Sequence, residues 1–222
     1  MQLALIGGTG DIGEAFALRF GRDTDHELWI GSRDAEKAES AAAEYEEELI
    51  DRGVDASIRS ADNETAAQEC DVVVLSVPPY HVEDTVASIE DGLDPETTLV
   101  SPAVGMRADE DGLHYHPPSA GSVTQLVDET APDDVPVVGA GTNLSAERLA
   151  DLDESFDMDT LVVGDATNEK ERIAALFEGI RGVRSLDAGP LVNAAEVESL
   201  TPLLVNLARH NDGVDHAGAK FV

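Results

Sequence analysis

Residues 3–13 read Leu3-Ala4-Leu5-Ile6-Gly7-Gly8-Thr9-Gly10-Asp11-Ile12-Gly13. The apolar run stops at glycines, and Gly8, Gly10 and Gly13 have the spacing G-x-G-x-x-G. Apolar residues then follow at helical spacing, so the stretch predicts a strand, a tight turn and a helix. In such a motif the first glycine allows the turn, the second lets the backbone approach a pyrophosphate, and the third lets the helix pack on the strand. The free N–H groups at the start of the helix, from Thr9 to Gly13, would bind the phosphates.

The first half of the chain continues this alternation with short links. Further apolar runs predict strands at residues 28–30, 56–58, 71–77 and 98–101, with helices between them. The helix after the second strand can be capped by Asp34, and its apolar positions fall on one face. Alternating strands and helices imply a parallel sheet covered by helices on both faces, with the first strand central. We therefore predict a Rossmann-type α/β fold with a doubly wound, mostly parallel sheet. The inner face of the capped helix consists of Ala38, Ala42, Tyr45 and Leu49.

The second half follows the same rhythm less regularly, with predicted strands at residues 135–138, 161–164 and 183–187. Residues 103–118 are expected to form a loop long enough to have a function. Ser119 and Thr167 are expected to cap the helices that follow them. The last helix is predicted from about Asn193 to His210, with a kink or a restart at Pro202.

We place a domain boundary near residue 140. Residues 1–140 are predicted to form the dinucleotide-binding Rossmann domain. Residues 141–222 are predicted to form a smaller C-terminal α/β domain that closes a second-substrate cleft.

The chain has 46 Asp and Glu against 14 Lys and Arg, which gives a formal net charge of -32. Binding to nucleic acid or to an anionic membrane is therefore not expected, because both need basic surfaces. The acidic residues are spread along the chain, and their repulsion is tolerated once salt shortens the Debye length to a few ångström. This composition favours a halophilic protein from a salt-loaded cytoplasm, with an ordinary acidic soluble enzyme as the alternative.

Cys70 is the only cysteine, so an internal disulfide is excluded and a cytoplasmic location is expected. It precedes an apolar strand and is expected to be a core residue, with a nucleophile as the less favoured alternative. We expect no signal peptide before the first strand, and no apolar run approaches membrane-spanning length.

The end of the second strand identifies the dinucleotide. Folds of this type that prefer NAD have Asp or Glu about 20 residues after the glycines, to bind the ribose 2′-hydroxyl. Here Ser32 and Arg33 occupy that position, and Lys37 follows one helical turn later. Because a hydroxyl, a guanidinium and an ammonium bind a phosphate dianion, we predict NADP(H). The alternative is that the two cations only form ion pairs on an exposed helix face. The glutamates concerned are Glu36, Glu39 and Glu44.

Other candidate residues give weaker signals. Val77 and Pro78 follow the fourth strand at the ligand-binding edge of the sheet, where a proline would also simply end the strand. His81 is expected to be structural or exposed. His114 and His116 have no third ligand close in sequence, so no metal is predicted. The chain has no G-x-S-x-G, H-E-x-x-H or C-x-x-C motif, and no catalytic residue is predicted.

Several segments resemble NADPH-dependent deazaflavin (coenzyme F420) reductases of archaea, and together they span nearly the whole chain. The later segments are far more specific than the glycine motif. The segments are residues 7–13, Gly31-Ser32-Arg33, residues 186–191, residues 197–204 with Asn206 and Arg209, and Lys220-Phe221-Val222.

The resemblance implies reversible hydride transfer between the nicotinamide C4 and the deazaflavin C5, with the two rings stacked in a cleft. Such chemistry depends on positioning, so a catalytic dyad is not expected. By the same resemblance, Pro102 and Ala140 join the cofactor-binding residues. The second-substrate side would consist of Gly141, Thr142, Asn143, Asn206 and Val222.

One departure lies in the loop after Val138. The family typically has His-x-x-Pro there, whereas this chain has Thr142-Asn143-Leu144-Ser145. One alternative is an NADPH-dependent reductase of another acceptor, such as a flavin, an imine or a metal complex. The other alternative is a non-catalytic NADP sensor.

The last predicted helix is apolar over much of its circumference, so it is expected to be buried in the core or against a partner. A two-fold homodimer is the commonest such arrangement, and we predict one. The apolar positions are Val197, Leu200, Leu203, Leu204, Val205 and Leu207.

Overall fold

The computed structural model describes residues 1–214 and 216–222. Within those residues, no helix has the length and apolar character needed to cross a bilayer. The strands are β1 (Gln2–Ile6), β2 (Glu27–Ser32), β3 (Ile58–Asp62), β4 (Val72–Leu75), β5 (Thr98–Ser101), β6 (Met106–Asp109), β7 (Gly112–Tyr115), β8 (Val137–Gly139), β9 (Met158–Gly164) and β10 (Val183–Asp187). The α-helices are α1 (Asp11–Asp23), α2 (Ala35–Asp51), α3 (Asn63–Gln68), α4 (Val82–Ile89), α5 (Val123–Thr130), α6 (Ala146–Ala150), α7 (Thr167–Glu178) and α8 (Ala194–His210).

Eight strands form one sheet in the order β10-β9-β8-β5-β4-β1-β2-β3. Neighbouring strands are parallel except for β8 and β9, which are antiparallel. β1 lies between β2 and β4, so the direction of winding reverses beside it. This is the doubly wound Rossmann-type fold that the sequence predicts, and such folds bind ligands at the carboxyl ends of the strands beside the reversal.

Alternate residues of the central strands belong to two apolar cores on opposite faces of the sheet. Leu3 and Leu5 pack in the core formed with α1, α2, α6 and α7, whereas Ala4 and Ile6 pack in the core formed with α3, α4 and α5. Side chains alternate between the two faces of a strand, so a strand covered on both faces needs a continuous apolar run. This explains why β1 and β4 are recognisable in the sequence.

α2 confirms the helix predicted after the second strand. The Asp34 side chain accepts a hydrogen bond from Lys37 N at 3.4 Å and so caps the helix. The buried residues of α2 are the four predicted ones, Ala38, Ala42, Tyr45 and Leu49. Cys70 is confirmed as a core residue, since it is buried and burial raises the pKa of its thiol to about 12.

Residues 103–118 are not a plain loop, and that prediction is wrong. β6 and β7 form an antiparallel hairpin in which Met106 lies opposite Tyr115. The turn ends at Gly112, whose φ is +136°. The pair Asp111-Gly112 is a hairpin signal, because glycine adopts positive φ at little cost.

Three further expectations need correction, and one short helix is additional to those predicted. Ser122, and not Ser119, caps α5 by accepting a hydrogen bond from Gln125 N. Ala166 is the N-cap of α7, with Thr167 as its first residue. The third strand runs over residues 58–62 instead of 56–58. α6 was not predicted, since a helix of 5 residues is too short to show a period.

α8 continues unbroken past Pro202, so the helix does not restart there. Its Asn206 side chain holds the hairpin: the amide donates to Leu113 O at 2.7 Å and accepts from Leu113 N at 2.9 Å. Both ends of this amide are therefore occupied by the backbone of β7.

Glu198 of α8 is a second contact to the hairpin. Its buried carboxylate accepts hydrogen bonds from the Tyr115 hydroxyl (3.1 Å) and from the backbone N–H groups of Val123 and Thr124 (3.0 and 2.9 Å). Burial raises the pKa of Glu198, although these donors lower it in part. α8, the hairpin and the start of α5 are thus joined at one carboxylate.

The large sheet is continuous across residue 140. β8 pairs with β5 on one side and with β9 on the other. In the pair with β9, Val138 lies opposite Gly164. Strands from both halves of the chain therefore share one sheet.

Candidate dinucleotide site

The turn between β1 and α1 depends on close backbone contacts. Gly7 has φ +76°, and a Cβ there would lie 2.5 Å from Val77 Cγ1. A Cβ on Gly8 would lie 2.7 Å from Leu5 O, and one on Gly13 would lie 2.5 Å from Gly8 Cα. The left-handed residue is Gly7, one position before the motif, and Gly8 lies in the same turn with no room for a side chain. The close contact expected of Gly13 is confirmed.

Gly10 has different surroundings. The nearest heavy atom to a Cβ at this position would be Gly7 O at 3.6 Å, an ordinary contact. Gly10 is the N-cap of α1 and contributes no side chain, so no capping side chain occupies the first N–H groups of the helix. Such a helix start binds phosphate oxygens. The Tyr45 hydroxyl fixes the turn by donating to Gly8 O at 3.1 Å.

A cleft of about 510 Å³ begins at this turn and follows the carboxyl ends of β2 and β4. It brings together six of the predicted residues. These are Thr9, Gly10, Ser32, Arg33, Val77 and Pro78. The remaining wall is formed by Gly7, Asn63, Ser76, Tyr80, His81, Asp84, Thr85 and Ser88.

Arg33 is exposed at the wall of the cleft, and Ser32 is buried beside it. In the part of the chain that the structure describes, no carboxylate lies within ion-pair distance of Arg33. Lys37 Nζ lies 3.9 Å from Asp34 Oδ2 with both side chains exposed, which is a weak contact. The pairing with neighbouring glutamates considered above is not observed among these residues, so the Arg33 guanidinium is available to an anion.

Two buried polar side chains at the cleft have no hydrogen-bond partner among the described residues. Asn63 is 8% exposed and its Oδ1 is unpaired, while Ser76 is 3% exposed with an unpaired Oγ. A buried polar atom without a partner costs about 1–3 kcal/mol. Both groups therefore suit a polar ligand. With the helix start for a pyrophosphate and Arg33 for a further phosphate, the cleft fits NADP(H).

Pro102 and Ala140 lie at the ends of β5 and β8. Both are buried, and Ala140 N donates to Ser101 O at 3.3 Å. The next residue, Gly141, has φ +74°, and its N–H donates to Thr160 Oγ1 at 3.2 Å. These residues lie at the carboxyl ends of two interior strands of the sheet, outside the lining of the cleft.

Asn143 braces the loop that follows β8. Its Nδ2 donates to Asp159 O at 2.7 Å, and its Oδ1 accepts from Thr160 Oγ1 at 3.0 Å. Thr142 is held through its carbonyl, which accepts from Thr201 Oγ1 of α8 at 2.8 Å. The Thr142 hydroxyl is buried without a partner among the described residues. Of these two side chains, Thr142 is the one with free hydrogen-bonding capacity.

Asp159, at the start of β9, anchors the segment before Val222. Its buried carboxylate accepts from Arg184 Nε and Nη2 (2.8 and 2.7 Å) and from Phe221 N (2.6 Å). Its own N–H donates to Ala219 O at 2.7 Å. The Arg184 guanidinium and the Phe221 N–H lower the pKa of Asp159 to about 2. Val222 is exposed next to this anchor.

The three candidate histidines, His81, His114 and His116, lie in different parts of the structure. His81 packs against Tyr80 at the cleft, with 4.6 Å between ring centroids and the rings tilted by 59°. His114 Nε2 lies 3.0 Å from Asp109 Oδ1 on the exposed hairpin, and His116 follows β7. Within residues 1–214 and 216–222, no three metal-ligating side chains form a cluster.

Sequence reasoning missed Asn63, Ser76 and Asp159. Ser76 ends the apolar run of β4, and a polar residue at that edge of the sheet is a detectable signal. Asn63 looks like an ordinary helix-start residue, because Asp62 caps α3 directly before it. The contacts of Asp159 to the tail span about sixty positions of the sequence, so no local pattern reveals them.

Residues 2–105 match the family model described as NADP oxidoreductase, coenzyme F420-dependent. Over 209 residues the chain is 36% identical to the F420-dependent NADP reductase of Methanocaldococcus jannaschii, covering 93% of this chain and 92% of that relative. The chain belongs to the F420-dependent NADP reductase family.

A second member of this family, the F420-dependent NADP reductase of Methanothermobacter thermautotrophicus, is 39% identical over 227 residues, with 100% of this chain and 94% of the relative covered. The crystal structure of a proposed F420-dependent NADP-reductase from Arthrobacter sp. FB24 has a TM-score of 0.79 at 20% identity. It covers 100% of this chain and 98% of that one, and it shows the shared fold.

Proposed function

We propose that this protein is an NADPH-dependent oxidoreductase that transfers a hydride reversibly between NADP(H) and the deazaflavin coenzyme F420. The observation that carries the proposal is the cleft in which the glycine turn, Ser32 and Arg33 lie together. Membership of the F420-dependent NADP reductase family over nearly the whole chain supports coenzyme F420 as the second substrate. The two coenzymes supply the redox chemistry, with the hydride passing between nicotinamide C4 and deazaflavin C5.

The cofactor is held by backbone and side-chain groups of residues 1–140. The N–H groups of Thr9, Asp11, Ile12 and Gly13 donate to the pyrophosphate, helped by the positive end of the α1 dipole. Ser32, Arg33 and Lys37 bind the 2′-phosphate, where a guanidinium can donate two parallel hydrogen bonds. Gly10 lets the backbone approach the pyrophosphate, while Gly8 and Gly13 keep the turn and the start of α1 close together. Val77, Pro78, Pro102 and Ala140 line the path towards the nicotinamide.

Residues 141–222 close the second-substrate side in this proposal. The candidates there are Gly141, Thr142, Asn143, Asn206 and Val222. The contacts of Thr142 to α8, of Asn206 to the hairpin and of Phe221 to Asp159 support this division, because they tie the later segments to the edge of the sheet. Rigid walls suit a reaction that needs two rings about 3–3.5 Å apart with water excluded.

An absorbance assay tests the activity. Purified protein in molar potassium chloride is mixed with NADPH and either coenzyme F420 or FMN. Bleaching of the deazaflavin band with matching oxidation of NADPH is expected. Oxidation of NADPH only with FMN or another acceptor would point to a different reductase, and tight NADPH binding without turnover would point to a sensor.

We infer a homodimer from α8. Its inner face is buried at Val197 and Leu204, whereas Leu203 and Leu207 on its outer face are 54% and 44% exposed. An apolar outer face of this kind supports a two-fold interface. Light scattering in molar salt tests it, and a mass equal to one chain of 23.4 kDa would contradict it.

The composition supports a place in the cytoplasm of a halophilic archaeon. Acidic residues outnumber basic ones by 46 to 14, and the single cysteine is a buried free thiol. A folded state that needs high potassium chloride is the expected property of such a protein.

A further inference from the structure

The contacts proposed for NADP(H) leave one part of the cofactor without a binding residue. The pyrophosphate lies at the start of α1, and the 2′-phosphate lies at Ser32 and Arg33. The adenine ring is attached to the same ribose as the 2′-phosphate, so it must lie in the adjoining part of the cleft. That part is formed by Asn63 and the residues of the β4–α4 connection and α4.

Asn63 is the buried polar group of this region. It is the first residue of α3, and the position of that helix is fixed because the Asp62 side chain accepts from Thr65 N at 2.9 Å. A Cβ on Gly31 would lie 3.1 Å from Asn63 Oδ1, so the glycine at that position leaves room for the amide. Asn63 Oδ1 has no hydrogen-bond partner among the described residues.

The other polar groups of the region are less suited to recognising adenine by a hydrogen bond. Asp84 and Ser88 are exposed, where water competes for every hydrogen bond, and Ser88 Oγ already donates to Thr85 O at 2.8 Å. Ser76 lies next to the phosphate turn, since a Cβ on Gly7 would lie 3.0 Å from Ser76 O. Asn63 is thus the buried residue with an unpaired acceptor in this part of the cleft.

We propose that Asn63 sets the preference for adenine, with its amide oxygen accepting a hydrogen bond from the exocyclic amino group of the base. The proposal rests on NADP(H) occupying the cleft. It identifies a residue that selects adenine over a purine with a carbonyl at the same position. Such a purine would place an acceptor against an acceptor, and the buried amide oxygen would stay unpaired.

Binding measurements with NADPH and its hypoxanthine analogue test this. In the analogue a carbonyl replaces the amino group of the base, while both phosphates and the nicotinamide are unchanged. Isothermal titration calorimetry in molar potassium chloride gives Kd for both ligands. The wild type is expected to bind NADPH roughly 10-fold more tightly than the analogue.

Two variants test whether Asn63 causes the preference for NADPH over the analogue. Asn63→Ala removes the acceptor, so its two Kd values are expected to agree within about 2-fold. Asn63→Asp keeps an acceptor of the same shape, so it should retain the preference even if its added charge weakens both ligands. Asn168→Ala, an exposed change on α7 across the sheet, is the control and should keep the wild-type ratio.

The results separate the two proposals. A wild type that binds both ligands equally, or an Asn63→Ala protein with the full preference, would overturn the role of Asn63 while leaving NADP(H) binding intact. A wild type that fails to bind NADPH would overturn the proposed function and, with it, this inference. Thermal unfolding of each variant checks that the fold is retained.

Discussion

Arg33 is exposed in a chain in which acidic residues far outnumber basic ones. Surface arginines in such a chain would be expected to have carboxylate neighbours, yet none lies within ion-pair distance of Arg33 among the described residues. The side chain instead stands at the wall of the cleft, beside the buried Ser32. A guanidinium in this position distinguishes the two nicotinamide cofactors, because only NADP(H) carries the 2′-phosphate.

The change Arg33→Ala should weaken NADPH binding by roughly 10- to 100-fold, since a hydrogen bond to a charged group contributes about 1.5–3 kcal/mol. The affinity for NADH should change by less than about 3-fold, because that cofactor lacks the phosphate group. Fluorescence titration with both cofactors measures the difference. Arg181→Ala is the matched control, since Arg181 pairs with Asp23 at the opposite end of α1, roughly 18 Å from the phosphate end. Equal losses for NADPH and NADH would refute the assignment.

Ser32 and Arg33 could be predicted because their distance from the glycines is set by a strand–helix–strand unit of nearly fixed length. Asn63 could not be predicted in the same way. Its burial depends on β3 pairing beside β2, which places the start of α3 against Gly31. A sequence read in one direction gives the order of the strands along the chain but not their order in the sheet.

The turn and the first part of α1 form the element that we propose binds the pyrophosphate of the cofactor. Its glycines have separable roles in the structure. Gly13 is in contact with the backbone of Gly8, whereas Gly10 borders open space. Gly13 therefore serves packing, whereas Gly10 leaves the space in which we propose that the pyrophosphate binds.

The changes Gly10→Ala and Gly13→Ala should have opposite consequences. Gly10→Ala should leave the midpoint of thermal unfolding within about 2 °C of wild type, because an ordinary contact is added, but it should abolish tight binding of NADPH and NADH alike. Gly13→Ala should lower the midpoint by roughly 4–8 °C, since overpacking costs about 2 kcal/mol. Calorimetric unfolding and cofactor titration measure both. A Gly10→Ala protein with normal affinity would contradict the phosphate site.

A second element consists of the start of β9 and residues 219–221, which are held together by hydrogen bonds to Asp159. Arg184 and Phe221 N lower the pKa of Asp159 to about 2, below its ordinary value of about 3.9. The ionised carboxylate therefore stabilises the fold above about pH 4, and this contribution is lost as the pH falls through about 2.

Asp159→Asn should accordingly lower the unfolding midpoint at pH 6, and the gap to wild type should narrow between about pH 4 and pH 2. Unfolding curves at constant high salt measure this gap. The exposed Asp25→Asn change provides the comparison and should give no such narrowing. A gap for Asp159→Asn that stays constant down to pH 2 would count against the ion pair.

Long elements with a clear period could be predicted from the sequence, and short ones could not. α2 shows its cap and its buried face directly, whereas α6 has 5 residues and no period. The hairpin is not evident in the sequence because its two strands have only 4 residues each, too few for the alternation of apolar and polar residues to stand out. Its turn glycine, Gly112, is a second local signal.

For the molecule as a whole, the net charge of -32 is the dominant physical fact. Repulsion between carboxylates opposes the compact state, and its range falls from about 10 Å in 0.1 M salt to about 3 Å in 1 M. The folded chain carries ion pairs, such as Arg52 with Asp153 at 3.1 Å, but far too few basic residues to neutralise it. The free energy of unfolding of this protein should therefore depend on the salt concentration.

Raising potassium chloride from 0.1 to 2 M should increase the unfolding midpoint by roughly 4–8 °C, which corresponds to about 2 kcal/mol for a chain of this size. Sodium chloride at the same ionic strength should have the same effect, because screening depends on ionic strength and not on the identity of the cation. Scanning calorimetry measures both series. A midpoint that is insensitive to salt would show that carboxylate repulsion is not what limits stability.

Charge counts do not reveal where a basic residue lies in the fold. Arg19 is completely buried between α1 and α6, where it donates to Leu149 O (2.8 Å), Arg148 O (2.8 Å) and Asp151 O (2.5 Å). Burial lowers its pKa to about 10. In the sequence it resembles any exposed helix arginine. The packing of α6 on α1 gives it a role, and that packing is not visible before the fold is known.

The anchoring of Ala219 and Phe221 on Asp159 also sets an order of events during synthesis. Strands β1 to β5 and their helices leave the ribosome first, so the part of the sheet that forms the dinucleotide cleft can assemble early. The loop after β8 is braced through Asn143 on Asp159. Asp159 itself receives its last hydrogen bond only when Phe221 has been made. The nascent chain can therefore complete the dinucleotide cleft before residues 219–221 are anchored on Asp159.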